Sequence, residues 1–324
     1  MAGSEQRSRE VTGTRRAVFG PARPFVKWAG GKQALLASFE AHFPGALRDG
    51  SIRRYVEPFM GSGAVLFHLL ARHTFDDVVI IDRNPILMTA YRVVQHDVHA
   101  LIELLSEHQS RFWSLGHDAR EAYYRSVRDA FNQGGEDLQQ AARLIFLNRT
   151  CFNGLSRVNR HGAFNVPMGR YDRPLIADRE NLLRVHRALA GVRMLTGPYT
   201  LAAPAIDEQT FVYLDPPYRP LTATASFTAY HPESFTDRDQ VELAAFFRAM
   251  ADRGAYLMLS NSDPLNVDPA DAFFDRLYGG FPIHRLSARR SINARADRRG
   301  AVSELVITSY ESSADRKALH SPVR

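Results

Sequence analysis

The sequence is poor in cysteine, in lysine and in long apolar runs, and each scarcity excludes something. A single cysteine, Cys151, rules out an internal disulfide framework and a cysteine-based zinc site. Lysine occurs only at Lys27, Lys32 and Lys317, although Lys and Arg together number 41. Arginine is the default cation here, so two lysines within six residues point to a local task. No apolar run reaches the length of a membrane span, and the N-terminus lacks the apolar core of a signal peptide. The expectation is a soluble, cytoplasmic, monomeric protein with no membrane association and no obligatory protein partner. What is present is 324 residues, 45% of them apolar, enough for one large domain or two modest ones. The formal net charge of +6 admits a polyanionic partner without establishing one.

Residues 1–22 and 312–324 are polar, lack a hydrophobic period and read as disordered tails. Between them, six apolar runs read as buried strands: 52–59, 77–83, 192–199, 211–217, 255–261 and 303–310. Helical patterns separate them, including 63–72 and 238–253. The second has Thr236 or Asp237 as its cap and Val241, Ala244, Phe247 and Met250 as its stripe. Strands alternating with helices predict an α/β fold with a mainly parallel sheet covered on both faces.

That alternation lapses between about 85 and 178, where helical patterns (85–108, 118–132, 137–149) lead into "NRTCFNGLSRVNRHGAFNVPMGRYDRP". The insertion, 85–177, reads as a second domain, leaving 23–84 and 178–311 for the sheet. Its polar end interleaves Arg149, Arg157, Arg160 and Arg170 with Phe152, Phe164 and Tyr171. The pattern suits phosphate contact with base stacking, or a solvated loop.

Three segments carry candidate chemistry. In "YVEPFMGSGAVLFHL", Glu57 ends a strand, and Gly61 and Gly63 precede a helix, where missing side chains let a ligand approach the backbone. G-x-G alone would favour a plain tight turn. The next strand ends "VVIIDRNP", however, which gives Asp82 the place of a ribose-binding carboxylate. With no third glycine, an adenosine ligand lacking pyrophosphate, such as S-adenosylmethionine, fits better than a dinucleotide. "PFVKWAGGKQALL" contributes a Gly30-Gly31 turn and Lys32, but Gln33 departs from a phosphate loop. Finally, "FVYLDPPYRPL" ends a buried strand on Asp215, Pro216, Pro217 and Tyr218.

With these segments in this order, residues 24–311 resemble the Dam family of DNA adenine-N6 methyltransferases. The resemblance rests on "FVKWAGGK", "VEPFMGSGAV", "IDRNP", "NRTCFNGLSRVNRHGAFNVPMGRY", "YLDPPYRPLTATASFTAYHPESFT", "LMLSNSD" and "RRSINARADRRGAVSELVITSY". It implies a Rossmann-like class I methyltransferase fold, seven-stranded with one antiparallel strand, plus an inserted helical and hairpin target-recognition domain. It implies S-adenosylmethionine as cofactor, without a metal, and double-stranded DNA as partner, with GATC as the site. By position, Trp28 and Lys32 would line the cofactor pocket, Glu57, Phe59, Gly61 and Gly63 would form its floor, and Asp82 would hold the ribose. Lys27 would face the first base pair, Phe152 would wedge into the duplex and Asn153 would touch an adjacent base. Arg157 would read a guanine, with Arg170 and Tyr171 on flanking DNA. Phe152 stands where relatives carry tyrosine, and Ser262 where a variant carries histidine.

The chemistry of Asp215-Pro216-Pro217-Tyr218 follows from the substrate implied. Adenine N6 is a poor nucleophile, because its lone pair is delocalised into the ring. Asp215 accepts one N6 hydrogen and the Pro216 carbonyl another, while proline holds the turn rigid and brings no competing N–H. Tyr218 offers a ring face to a base flipped from the helix. Cys151 follows a threonine rather than the proline expected beside a C5 nucleophile, so it reads as a buried thiol. The arginines of "RLSARRSINARADRRG", among them Arg285, Arg289, Arg290, Arg295, Arg298 and Arg299, read as a phosphate-gripping loop or a solvated one. Other readings remain: a cytosine-N4 or RNA adenine methyltransferase, or a non-catalytic DNA-binding protein on the same fold.

Overall fold

In the computed structural model of the protein, the described residues are 20–159, 161–220, 235–288 and 302–312. Most of both tails, Arg160, part of the segment after Pro220 and the arginines from 289 to 299 therefore lie outside the described residues. Among those described, no helix is long and apolar enough to cross a membrane.

Seven strands form one sheet: β1 (Arg54–Glu57), β2 (Asp77–Asp82), β3 (Arg193–Thr196), β4 (Thr210–Leu214), β5 (Tyr256–Ser262), β6 (Ile283–Ala288) and β7 (Val302–Thr308). Their order is β3-β2-β1-β4-β5-β7-β6. The first five run parallel, and β7 lies antiparallel between β5 and β6. This is the seven-stranded sheet with one reversed strand that the resemblance implies. β6 is not among the six apolar runs, because "IHRLSA" has too little apolar content to show as a buried strand.

Strand pleating sends alternate side chains to opposite faces. Tyr55, Ile80, Phe211, Tyr213 and Met258 therefore face one apolar layer, and Val56, Val79, Val212, Leu214 and Leu257 face the other. The second layer is closed by the helix Asp237–Ala251, which buries Gln240, Leu243, Ala244, Phe247 and Met250. Thr236 caps it in a reciprocal capping box with Asp239. Val241, expected in the stripe, is 49% exposed, because the buried face runs through 240, 243, 244 and 247 instead.

On the first face lie α1 (Leu36–Phe39), α2 (Ala64–Leu70) and α3 (Pro85–His96), followed by α4 (Val98–Ser114), α5 (His117–Gln133), α6 (Asp137–Thr150) and α7 (Arg179–Ala188). The single helix expected over 85–108 is divided at Asp97 (φ −126°, ψ 32°), whose backbone leaves the helical region. α3 stays against β2 and β3, whereas α6 packs on α3, α4 and α5. One apolar core runs from Phe25 through these helices to the sheet. After α6, residues 150–169 fold back in an irregular hairpin, with antiparallel bridges Cys151–Met168 and Val158–Phe164.

Candidate active site

The C-terminal ends of β1, β2 and β4 lie side by side, and each presents a carboxylate: Glu57, Asp82 and Asp215. Trp28, Gly30, Lys32, Gly61 and Asp215 border a common cavity floored by Glu57. Gly61 (φ +48°) and Gly63 (φ +69°) adopt left-handed backbone conformations that favour glycine. A Cβ on Gly63 would overlap the Met60 methyl, and one on Gly61 would lie 3.1 Å from Trp28 Cδ1. Asp82 holds this turn in place: its Oδ2 accepts the Gly61 N–H at 2.9 Å, and its Oδ1 accepts the Asn84 N–H at 2.8 Å.

Asp215 is held on both sides. Lys32 Nζ lies 2.7 Å from its Oδ2, and Ser260 Oγ donates to Oδ1 at 2.9 Å. Lys32 is only 5% exposed and also donates to the Gly30 carbonyl, which folds the glycine turn against Asp215. Burial pushes the Asp215 carboxyl upward, while Lys32 and then Ser260 draw it back. Among the described residues no cation pairs with Glu57. Although the Tyr55 hydroxyl donates to it at 2.7 Å, burial raises it to about 8, and Asp215 and Asp82 add to the shift.

Tyr218 extends its ring over Lys32, with the ammonium 4.5 Å from the ring centroid. Its hydroxyl donates to Glu304 on β7 at 2.8 Å. Behind the turn, the buried Gln240 donates to the Pro217 carbonyl and accepts from Asn261, whose Oδ1 meets the Arg219 N–H. Phe59 stacks on Tyr199 with centroids 5.5 Å apart. Ser260, Gln240, Asn261 and Glu304 escaped the sequence reading. A lone glutamate inside the apolar "SELVITSY" was the one signal that could have found Glu304.

The polar end of the insertion approaches the same region through Lys27. Lys27 crosses Gly154, and its ammonium lies 5.3 Å from the Tyr171 ring. Phe152 is 51% exposed, and Asn153, in the left-handed region at φ 55°, is the only such non-glycine among the described residues. Arg157 and Arg170 are exposed, and Arg157 Nε donates to Asn165 at 3.0 Å. Arg149 turns inward, donating to the Phe25 carbonyl at 2.9 Å. Cys151 is fully buried with its thiol pushed up to about 11, chiefly by burial. Arg285, expected in the basic loop, lies outside it. It stands on β6 and pairs with Asp263 and Asp275, so it is not free for phosphate. Arg290, Arg295 and Arg298 lie outside the described residues.

A sheet of this strand order, with its carboxylates gathered at the ends of β1, β2 and β4, defines a class I methyltransferase fold. The sequence profile of the D12 class N6 adenine-specific DNA methyltransferases matches residues 28–292, and the chain belongs to that family. It is 47% identical over 292 residues to the type II methyltransferase M.MjaIII of Methanocaldococcus jannaschii, covering 89% of this chain and 99% of that one. It is 35% identical over 294 residues to the type II methyltransferase M1.LlaDCHI of Lactococcus lactis, covering 89% and 95%. Against the DNA adenine methylase of Escherichia coli K12 the identity is 32% over 284 residues, covering 88% and 94%. The protein is therefore an S-adenosylmethionine-dependent DNA adenine-N6 methyltransferase. The residues present fit that cofactor: a glycine cradle without Cβ atoms stands beside carboxylates suited to ribose hydroxyls and a sulfonium cation.

Proposed function

We propose that the protein methylates N6 of adenine in GATC within duplex DNA, acting on a base rotated out of the helix. The observation that carries this reading is Asp215, fixed at the end of β4 between Lys32 and Ser260 with the Tyr218 ring alongside. The choice of GATC follows the resemblance of the 148–171 segment to the Dam family. Residues 23–84 and 178–311 form the catalytic part, and 85–177 the target-recognition part.

Trp28, Lys32, Glu57, Phe59, Gly61, Gly63 and Asp82 hold the cofactor, with Asp215 at the edge of that pocket. When bound, S-adenosylmethionine supplies the methyl group as an electrophile for a single in-line transfer, without a covalent enzyme intermediate. Asp215 and the Pro216 carbonyl accept hydrogen bonds from the two N6–H groups, which localises the lone pair on nitrogen. Tyr218, tethered by Glu304, stacks on the extruded base, and orientation of the two reactants supplies much of the acceleration. Lys32 must then share Asp215 with the amino group, and its ammonium stays within reach of the Gly30 carbonyl. Phe152, Asn153, Arg157, Arg170, Tyr171 and Lys27 face the DNA, and Arg149 braces this surface from behind.

Asp215→Ala should abolish methylation of a GATC plasmid while cofactor binding, followed by calorimetry, survives. Near-normal turnover in that variant would remove Asp215 from the reaction.

A further inference from the structure

Asn148 sits on the last turn of α6, 3% exposed, with its amide shared between two segments remote from it or from each other in sequence. Its Oδ1 accepts the Lys27 N–H at 2.7 Å. Its Nδ2 donates to the Lys27 carbonyl at 2.8 Å and to the Gly154 carbonyl at 3.2 Å. One side chain thus grips both backbone groups of Lys27, as a neighbouring strand would, together with the turn that bears Phe152 and Asn153. An acceptor facing one N–H and two donors facing two carbonyls is the pattern of a primary amide.

The contacts continue on both sides of this grip. Toward the insertion, Lys27 passes over Gly154, where a Cβ would overlap its Cδ and φ is +64°. Toward the sheet, the next residue, Trp28, approaches Gly61, whose N–H is bonded to Asp82 at 2.9 Å. Lys32, four residues further on, reaches Asp215. Packed contacts therefore run without a gap from the exposed 152–155 turn to the carboxylates at the strand ends.

We propose that Asn148 is a positioning residue that couples DNA at the 149–171 segment to the cofactor side of the site. DNA that seats Phe152 and Asn153 fixes the turn at Gly154; through Asn148 it fixes the backbone of Lys27 and hence Trp28 and Lys32. The proposal rests on the reading of 149–171 as the DNA-facing segment. Coupling between two binding sites is reciprocal and is measured as a ratio of affinities.

The test titrates S-adenosylhomocysteine, which has no methyl to transfer, onto the full-length protein. Titrations are made alone, with a duplex carrying the site as mapped by methylation, and with the same duplex altered at one base. In the wild type the cognate duplex should tighten binding by about fivefold or more, and the altered duplex by less. Asn148→Asp keeps the side-chain shape but turns two donors into acceptors, and should bring the cognate ratio to within about twofold of unity. A substitution that merely loosens the fold would weaken binding with and without DNA alike. An undiminished ratio in Asn148→Asp, or a wild-type ratio of one, would overturn the proposal. If the variant does not fold, amide hydrogen exchange on the wild type decides. The cognate duplex should slow exchange over residues 26–31 and the altered duplex should not; equal slowing by both contradicts the coupling. Failure of the underlying reading shows separately, as an Arg157→Ala variant that keeps the wild-type site preference.

Discussion

Asp215 and Glu57 stand at the ends of adjacent strands, yet their surroundings give them different tasks. Lys32 and Ser260 partly offset the burial that raises the Asp215 carboxyl, and they fix both its oxygens where an amino group can donate to them. Glu57, 2% exposed, is raised to about 8 chiefly by burial, which favours its protonated form at neutral pH. The folded protein therefore binds one more proton than the unfolded chain between about 4.5, the ordinary value, and about 8. Stability of the cofactor-free protein should fall as pH rises through that window. Thermal midpoints from pH 5 to 8 should show the decline, and Glu57→Gln should lessen it; an equal slope in both proteins would contradict the assignment. Asp82 holds the Gly61 turn and, in the proposed function, would also offer oxygen to ribose hydroxyls. Asp82→Ala should weaken cofactor binding by about 1.5–3 kcal/mol, the range for hydrogen bonds to a charged acceptor, and DNA binding much less. Calorimetry showing unchanged cofactor affinity would take Asp82 out of the site.

At the level of elements, β4 and the turn after it were legible because the signal is local. Four apolar residues running into a carboxylate and two prolines can hardly continue a strand. The glycine turn after β1 and the aspartate ending β2 were legible for the same reason. β6 was not, since its place depends on pairing with β7, and Arg285 consequently looked like a loop residue rather than a strand residue between two acids. Val241 shows how a helical stripe misleads when polar Gln240 is the residue turned inward, because that inward position is set by partners at Pro217 and Asn261. The hairpin after α6 carries the specificity prediction. Arg157 is exposed there, and an Arg fork matches guanine O6 and N7, so its loss should cost about 1–3 kcal/mol of discrimination. Arg157→Ala should relax the preference for GATC over single-base variants while methylation continues. If it slows all substrates equally, sequence reading lies elsewhere.

On the scale of the whole molecule, a basic chain places an exposed aromatic and arginine hairpin beside the strand ends that hold the carboxylates. The insertion is not a loosely tethered module, for one apolar core joins Phe25, α3 and α6 to the sheet. Asn148 and Glu304 bond to Lys27 and Tyr218 across 121 and 86 residues of sequence, and no local pattern announces such pairings. The most direct test of the central claim is in-vitro methylation of a plasmid, with every modified position mapped base by base. The account predicts N6-methyladenine, confined to GATC. Modification at cytosine N4, or N6-methyladenine spread without regard to sequence, would contradict it.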